Sequence, residues 1–174
     1  MMGYAELNAA LKGMVADSLN NVPQEAWNIS AGAGLIITAN SINVTIEYSG
    51  YGDGISLEWT DSLFDTQRGR QKVHIIGTVI HAPARSLVLG MDGDNVVNGI
   101  IALNIYRSAN TLTHRLDEIS DTIRKAFPKG TRVSFDGGYL FINQPAYVSQ
   151  IQRDNGFFFS PLTIPYQAHM EASS

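Results

Sequence analysis

The stretch that most constrains this chain runs from about Val96 to Thr131. Gly99-Ile-Ile-Ala-Leu-Asn-Ile-Tyr106 is apolar on both faces apart from Asn104. That pattern predicts a central strand covered on both sides for at least part of its length. Arg107-Ser-Ala-Asn110 reads as a polar turn. Thr111 to Phe127 then sets Leu112, Leu116, Ile119, Ile123 and Phe127 on one face at helical spacing. Pro128-Lys-Gly130 ends the helix, because proline cannot continue the ladder. Asp117, Glu118 and Asp121 precede Arg124 and Lys125 along this helix, the order that complements its dipole. Asp121 and Lys125 stand at the spacing of a supporting ion pair.

The flanking segments supply the remaining layers. Tyr4, Leu7, Leu11, Met14 or Val15, and Leu19 predict a first helix over 4–19, stopped before Pro23. Trp27 and Ser30-Ala-Gly-Ala-Gly34 read as a loop, and Leu35 to Thr38 as a short strand. Ile42 to Tyr48 and Ile55 to Trp59 alternate apolar and polar residues about the turn Gly50-Tyr-Gly-Asp-Gly54, which predicts an antiparallel pair. Asp136-Gly-Gly138 makes a hairpin turn between 132–135 and 139–143. Val148 to Gln152 and Phe157 to Tyr166 are the last strands. Pro161 and Pro165 predict that the final strand is an edge or bulged strand, and His169 to Ser174 reads as a frayed tail. The expected class is α+β, mixed α/β: a mainly antiparallel sheet with two main helices packed on it, in a single domain over 1–174.

One segment breaks the regular pattern. From about 64 to 98 two β-like runs, Val73 to Ile80 and Ser86 to Met91, are interrupted at His81-Ala-Pro83. The entrance is basic, Gln67-Arg-Gly-Arg-Gln-Lys72, and the exit is Asp92-Gly-Asp-Asn95. This predicts a long β-hairpin or loop extension leaving the body of the domain, of the kind that usually carries function. Arg68, Arg70 and Lys72 are candidate contacts to a partner. So are Phe157, Phe158 and Phe159, since three consecutive rings on a strand cannot all face one side.

Chemistry is scarce. With no cysteine, disulfides, thiolate metal sites and cysteine nucleophiles are excluded. His74, His81, His114 and His169 form no ligand motif, so no metal is expected. Gly32 and Gly34 lack the third glycine and following helix of a dinucleotide fingerprint. Asp92 and Asp94 open a calcium-loop pattern that Val96, Val97 and Leu103 cannot complete. Lys129-Gly-Thr131 has the wrong order for a phosphate loop, and no serine sits in a nucleophile elbow. Asp117, Glu118 and Asp121 read as a solvated helix face rather than an acid–base set. No catalytic residue and no cofactor is assigned. A net charge of -4 argues against a surface that grips DNA. No apolar run approaches the ~20 residues needed to cross a bilayer, and the N-terminus lacks a secretory pattern.

The order of pieces resembles a known family. An N-terminal helix and a Trp-containing loop precede an apolar strand ending in Tyr106-Arg107. A helix ending in Phe127-Pro-Lys-Gly130 follows, then a β-hairpin and Asn155-Gly-Phe-Phe-Phe-Ser-Pro-Leu-Thr-Ile-Pro-Tyr166. This is similar to the tail terminators of long-tailed bacteriophages, the minor tail protein U type. The segment 64–98 departs from the compact members by its length. The resemblance implies a non-enzymatic virion protein at the head-proximal end of the tail, assembled in the host cytoplasm. It implies a homo-oligomer, a hexameric ring, that stops growth of the tail tube. Its partners are the tail tube protein and the head–tail connector, with DNA only passing through the lumen and no membrane contact. Six copies at -4 carry about -24, and such a ring does not retard the passage of phosphates. The competing expectations are another neck or tail-completion protein of similar fold, or a small-molecule-binding domain. The last of these predicts a deep pocket with perturbed pKa values.

Overall fold

The computed structural model describes residues 4–19, 35–40, 43–48, 54–60, 73–86, 95–108, 114–154 and 156–171. Helix α1 spans Tyr4–Leu19 and helix α2 spans His114–Lys125. The strands are β1 (Leu35–Asn40), β2 (Asn43–Tyr48), β3 (Gly54–Trp59), β4 (Val73–His81), β5 (Arg85–Ser86), β6 (Asn95–Ser108), β7 (Arg132–Phe135), β8 (Gly138–Phe141), β9 (Tyr147–Val148), β10 (Gln152–Asp154) and β11 (Phe157–Met170). They form one sheet in the order β1-β2-β3-β4-β6-β11-β8-β7. β9 and β10 pair with β11, and β5 pairs with β6. The class is mixed α/β with a curled, antiparallel-rich sheet; only β3 and β4 run parallel among these pairs.

The fold is built on the long ladder between β6 and β11, which pairs all fourteen residues of each. Pleating divides them cleanly. Ile101, Leu103 and Ile105 of β6, with Leu162 and Ile164 of β11, are almost fully buried. They share one core with Leu116, Ile119, Ile123 and Phe127 of the second helical segment and Leu7, Leu11, Val15 and Leu19 of α1. Full burial of each such side chain is worth ~1.5–3 kcal/mol, so both helices are held mainly by this inner face. α1 has the predicted bounds. At the end of α2 the Ala126 and Phe127 N–H groups donate to Ile123 and Arg124 carbonyls, a tightened last turn before Pro128.

Three sequence expectations change. Val73–His81 does not leave the body: β4 lies between β3 and β6, with Val73 and Ile75 buried. Parallel pairing needs a crossover of about a dozen residues, and the interval between Trp59 and Val73 has that length. Of the second run, Ser86 to Met91, only Ser86 is described, at the end of the short strand Arg85–Ser86; 87–94 lie outside the described residues. β11 is not an edge strand; it is central, with β6 on one side and β8, β9 and β10 on the other. Both prolines are accommodated by strand parity. The Ser149 N–H donates to the Pro161 carbonyl at 2.8 Å, so Pro161 faces β9, and Pro165, four residues on, faces the same way between the β9 and β8 pairings. The β6 ladder therefore loses no donor. Nor does the chain fray at His169: His169 and Met170 still pair with Tyr139 and Gly138.

The covering of the central strand also differs by face. The alternate residues of β6, namely Ile100, Ala102, Asn104 and Tyr106, are only half-buried, and both helices contribute to the other face.

Candidate assembly surfaces

The outer face of β4, β6 and β11 is laid out in rows by the strand register. Ile76, Asn104 and Pro161 make one row, Thr78, Ala102 and Thr163 the next, and Ile80, Ile100 and Pro165 the third. Tyr147 pairs with Thr163 and extends the middle row. These residues carry no formal charge, and most are half-exposed. Ile80, 49% exposed, and Tyr147, 52% exposed, are the large hydrophobics left most open among the described residues. A broad uncharged outer sheet face without a described helix on it is a candidate contact surface.

An aromatic cluster closes one end of this face. Tyr106 stacks between His74, at 4.8 Å, and Phe159, at 5.1 Å, while Phe157 meets His74 edge-on at 5.5 Å. Phe158 turns the other way, against the core, with the Arg153 guanidinium 6.0 Å from its ring. The structure thus brings Phe157 and Phe159 together on the outer face and separates Phe158 from them. Arg68, Arg70 and Lys72 lie outside the described residues. A second stack stands further along β11. Arg132 lies 3.8 Å from the Tyr139 ring, and His169 stacks on both Tyr139 and Phe141.

On the inner side a polar network fixes α1 to the sheet. His81 Nε2 lies 2.9 Å from Asn8 Oδ1, and Nδ1 lies 2.5 Å from the Tyr166 hydroxyl. Because Asn8 Oδ1 only accepts, Nε2 carries the ring proton and Tyr166 donates to Nδ1. Burial holds the His81 pKa below its ordinary value and pushes the Tyr166 phenol well above its own. Both groups are therefore neutral at pH 7, as this chain of bonds requires. Gly99 makes room for it, since a Cβ there would collide with the Tyr166 ring and lie 2.5 Å from the Ile80 carbonyl oxygen. A further buried bond, 2.9 Å between Ser120 and Ser160 hydroxyls, ties α2 to β11. Neither network has a sequence motif; each is a long-range pairing that only the strand register creates.

A cleft of about 470 Å³ between α2 and β9 is lined by Asp117, Ser120, Asp121, Arg124 and 146–148, and it is open to solvent. Lys125, at 2.6 Å, and Arg124, at 2.5 Å, bond the Asp121 carboxylate and hold its pKa below the ordinary value. That shift is opposite to the one a general acid needs near neutral pH. Among the described residues no group of three His, Asp or Glu is placed to hold a metal ion, and no helix is long and apolar enough to cross a membrane.

The comparisons agree with the order of elements. No curated protein matches this sequence. One solved structure shares the fold at 12% identity, covering 97% of this chain and 96% of its own, with a TM-score of 0.63. The family described as phage tail terminator protein matches residues 43–166, which include β2 to β10 and most of β11. With that match spanning well over half of its length, the chain belongs to the phage tail terminator protein family.

Proposed function

We propose that this protein closes head to tail into a ring, six-membered as the family resemblance implies, on the head-proximal end of the tail tube. There it stops tube polymerisation and offers its opposite surface to the head–tail connector. The observation that carries this reading is the family match over 43–166, which already makes the chain a structural component of a phage tail. The three uncharged rows of the outer face support it, since they suit contact with protein and place no basic side chain for a phosphate backbone. Phe157 and Phe159, with Tyr106, supply an aromatic border to that contact, and Arg68, Arg70 and Lys72 are further candidate partner contacts on the sequence alone.

The test is a tube-growth assay. Purified protein is added to polymerising tail tube protein of the same phage, and tube lengths are measured in electron micrographs. Capped tubes of arrested length are expected. Unchanged growth, with binding only to the connector, would instead make this a neck-completion protein. Replacing Arg68, Arg70 and Lys72 together with Ser should leave the far-UV spectrum unchanged and reduce tube attachment. Full attachment by the triple variant would remove those residues from the interface.

A further inference from the structure

We propose that neighbouring copies join by sheet augmentation, the outer edge of β1 in one copy pairing with the outer edge of β7 in the next. This rests on the ring reading above and names the surfaces that build it. β1 and β7 are the two ends of the strand order, and among the described residues each is paired on one side only.

The register shows which backbone groups are left over. Asn40 and Asn43 are partners with two residues between them, so theirs is a hydrogen-bonded pair, as are Thr38 with Thr45 and Ile36 with Glu47. Leu35, Ile37 and Ala39 therefore direct N–H and C=O groups away from β2. In the same way Phe135 and Gly138 flank a two-residue turn, and the Ile142 N–H donates to the Thr131 carbonyl. Arg132 and Ser134 then direct theirs away from β8. No described backbone group bonds them on that side.

The β1 edge also lacks the usual guards. Leu35-Ile-Ile-Thr-Ala-Asn40 has no charge and no proline, and its six residues pair with β2 without a bulge. An edge strand without such guards is a template for another strand. The contrast within the chain is clear, for the outward side of β11 is interrupted by Pro161 and Pro165. On β7 the one charged side chain, Arg132, lies over the Tyr139 ring of its own hairpin. The occupant is a second copy because the two edges belong to opposite ends of one sheet and differ in sequence. Such a contact is heterologous, and each copy offers one edge of each kind, as ring closure requires.

The native chain has no cysteine, so introduced thiols report single contacts. The experiment combines Ile37→Cys with Ser134→Cys, and separately with Arg132→Cys, in the full chain. Oxidised samples are run on non-reducing gels beside light scattering of the same preparation. A ladder of linked chains reaching the full order of the assembly supports the edge pairing. Ile37→Pro, which removes an outward donor and leaves the β2 bonds intact, should lower the mass to that of one 19.0 kDa chain with an unchanged far-UV spectrum. Rings of full mass that link through neither cysteine pair, and that still form with Ile37→Pro, overturn the edge pairing while leaving the ring reading in place. Linkage that stops at a dimer with Ile37→Cys alone overturns it in favour of symmetric β1 pairing. A wild-type chain that stays a monomer, even after addition of tail tube tips, overturns both.

Discussion

At the scale of residues, the network through Asn8, His81 and Tyr166 makes the sharpest predictions. Tyr166→Phe removes the donor to His81 Nδ1 and leaves that atom unpaired, which should cost ~1–3 kcal/mol by urea denaturation. Stability should also depend on pH through His81. Its folded pKa lies below the unfolded value of about 6.5, so on acidification the unfolded chain takes up the proton first. Stability is full above that value, falls as pH drops through it, and levels off once pH is below the folded value. His81→Gln should flatten this window in a pH series of denaturation midpoints. Asp121 behaves separately: its folded pKa is lowered chiefly by Lys125 and then Arg124, so its support is lost only as pH falls below the ordinary carboxylate range. The ion pair with Lys125 follows from helical spacing alone and was legible in sequence. The His81 network was not, because 73 residues separate it from Asn8 and 85 from Tyr166.

At the scale of elements, parity explains what composition misjudged. Proline inside a strand argued for an edge, yet in β11 both prolines face the side where pairing is already interrupted. The prediction is asymmetric. Ala168→Pro, on the side that bonds β6, should cost at least the ~1–3 kcal/mol of an unmade buried bond. Pro165→Ala should change the urea midpoint little. β4 was misread as an excursion because its partner β3 is parallel, and parallel neighbours leave no turn signature between them. The two helices and the β7–β8 hairpin were legible because their periodicity and turn residues are local. Leu11→Ala, which empties a fully buried site on α1, should cost ~2–5 kcal/mol.

For the whole molecule, the ladder of β6 and β11 is a scaffold whose two faces divide the work. Helices and apolar side chains close the inner face, and among the described residues no helix covers the outer face and no further strand pairs with the two sheet ends. The order of elements was enough to point to tail terminators, the family whose model matches residues 43–166. The candidate contact surface was hidden, because a sheet face built from residues of four strands has no linear pattern. The direct test of ring closure is light scattering with negative-stain imaging of the purified chain, alone and after addition of tail tube tips. The account predicts rings with a central hole and a mass near six chains of 19.0 kDa, about 114 kDa. A single chain of 19.0 kDa at every concentration, with no ring even on the tube tips, would contradict it.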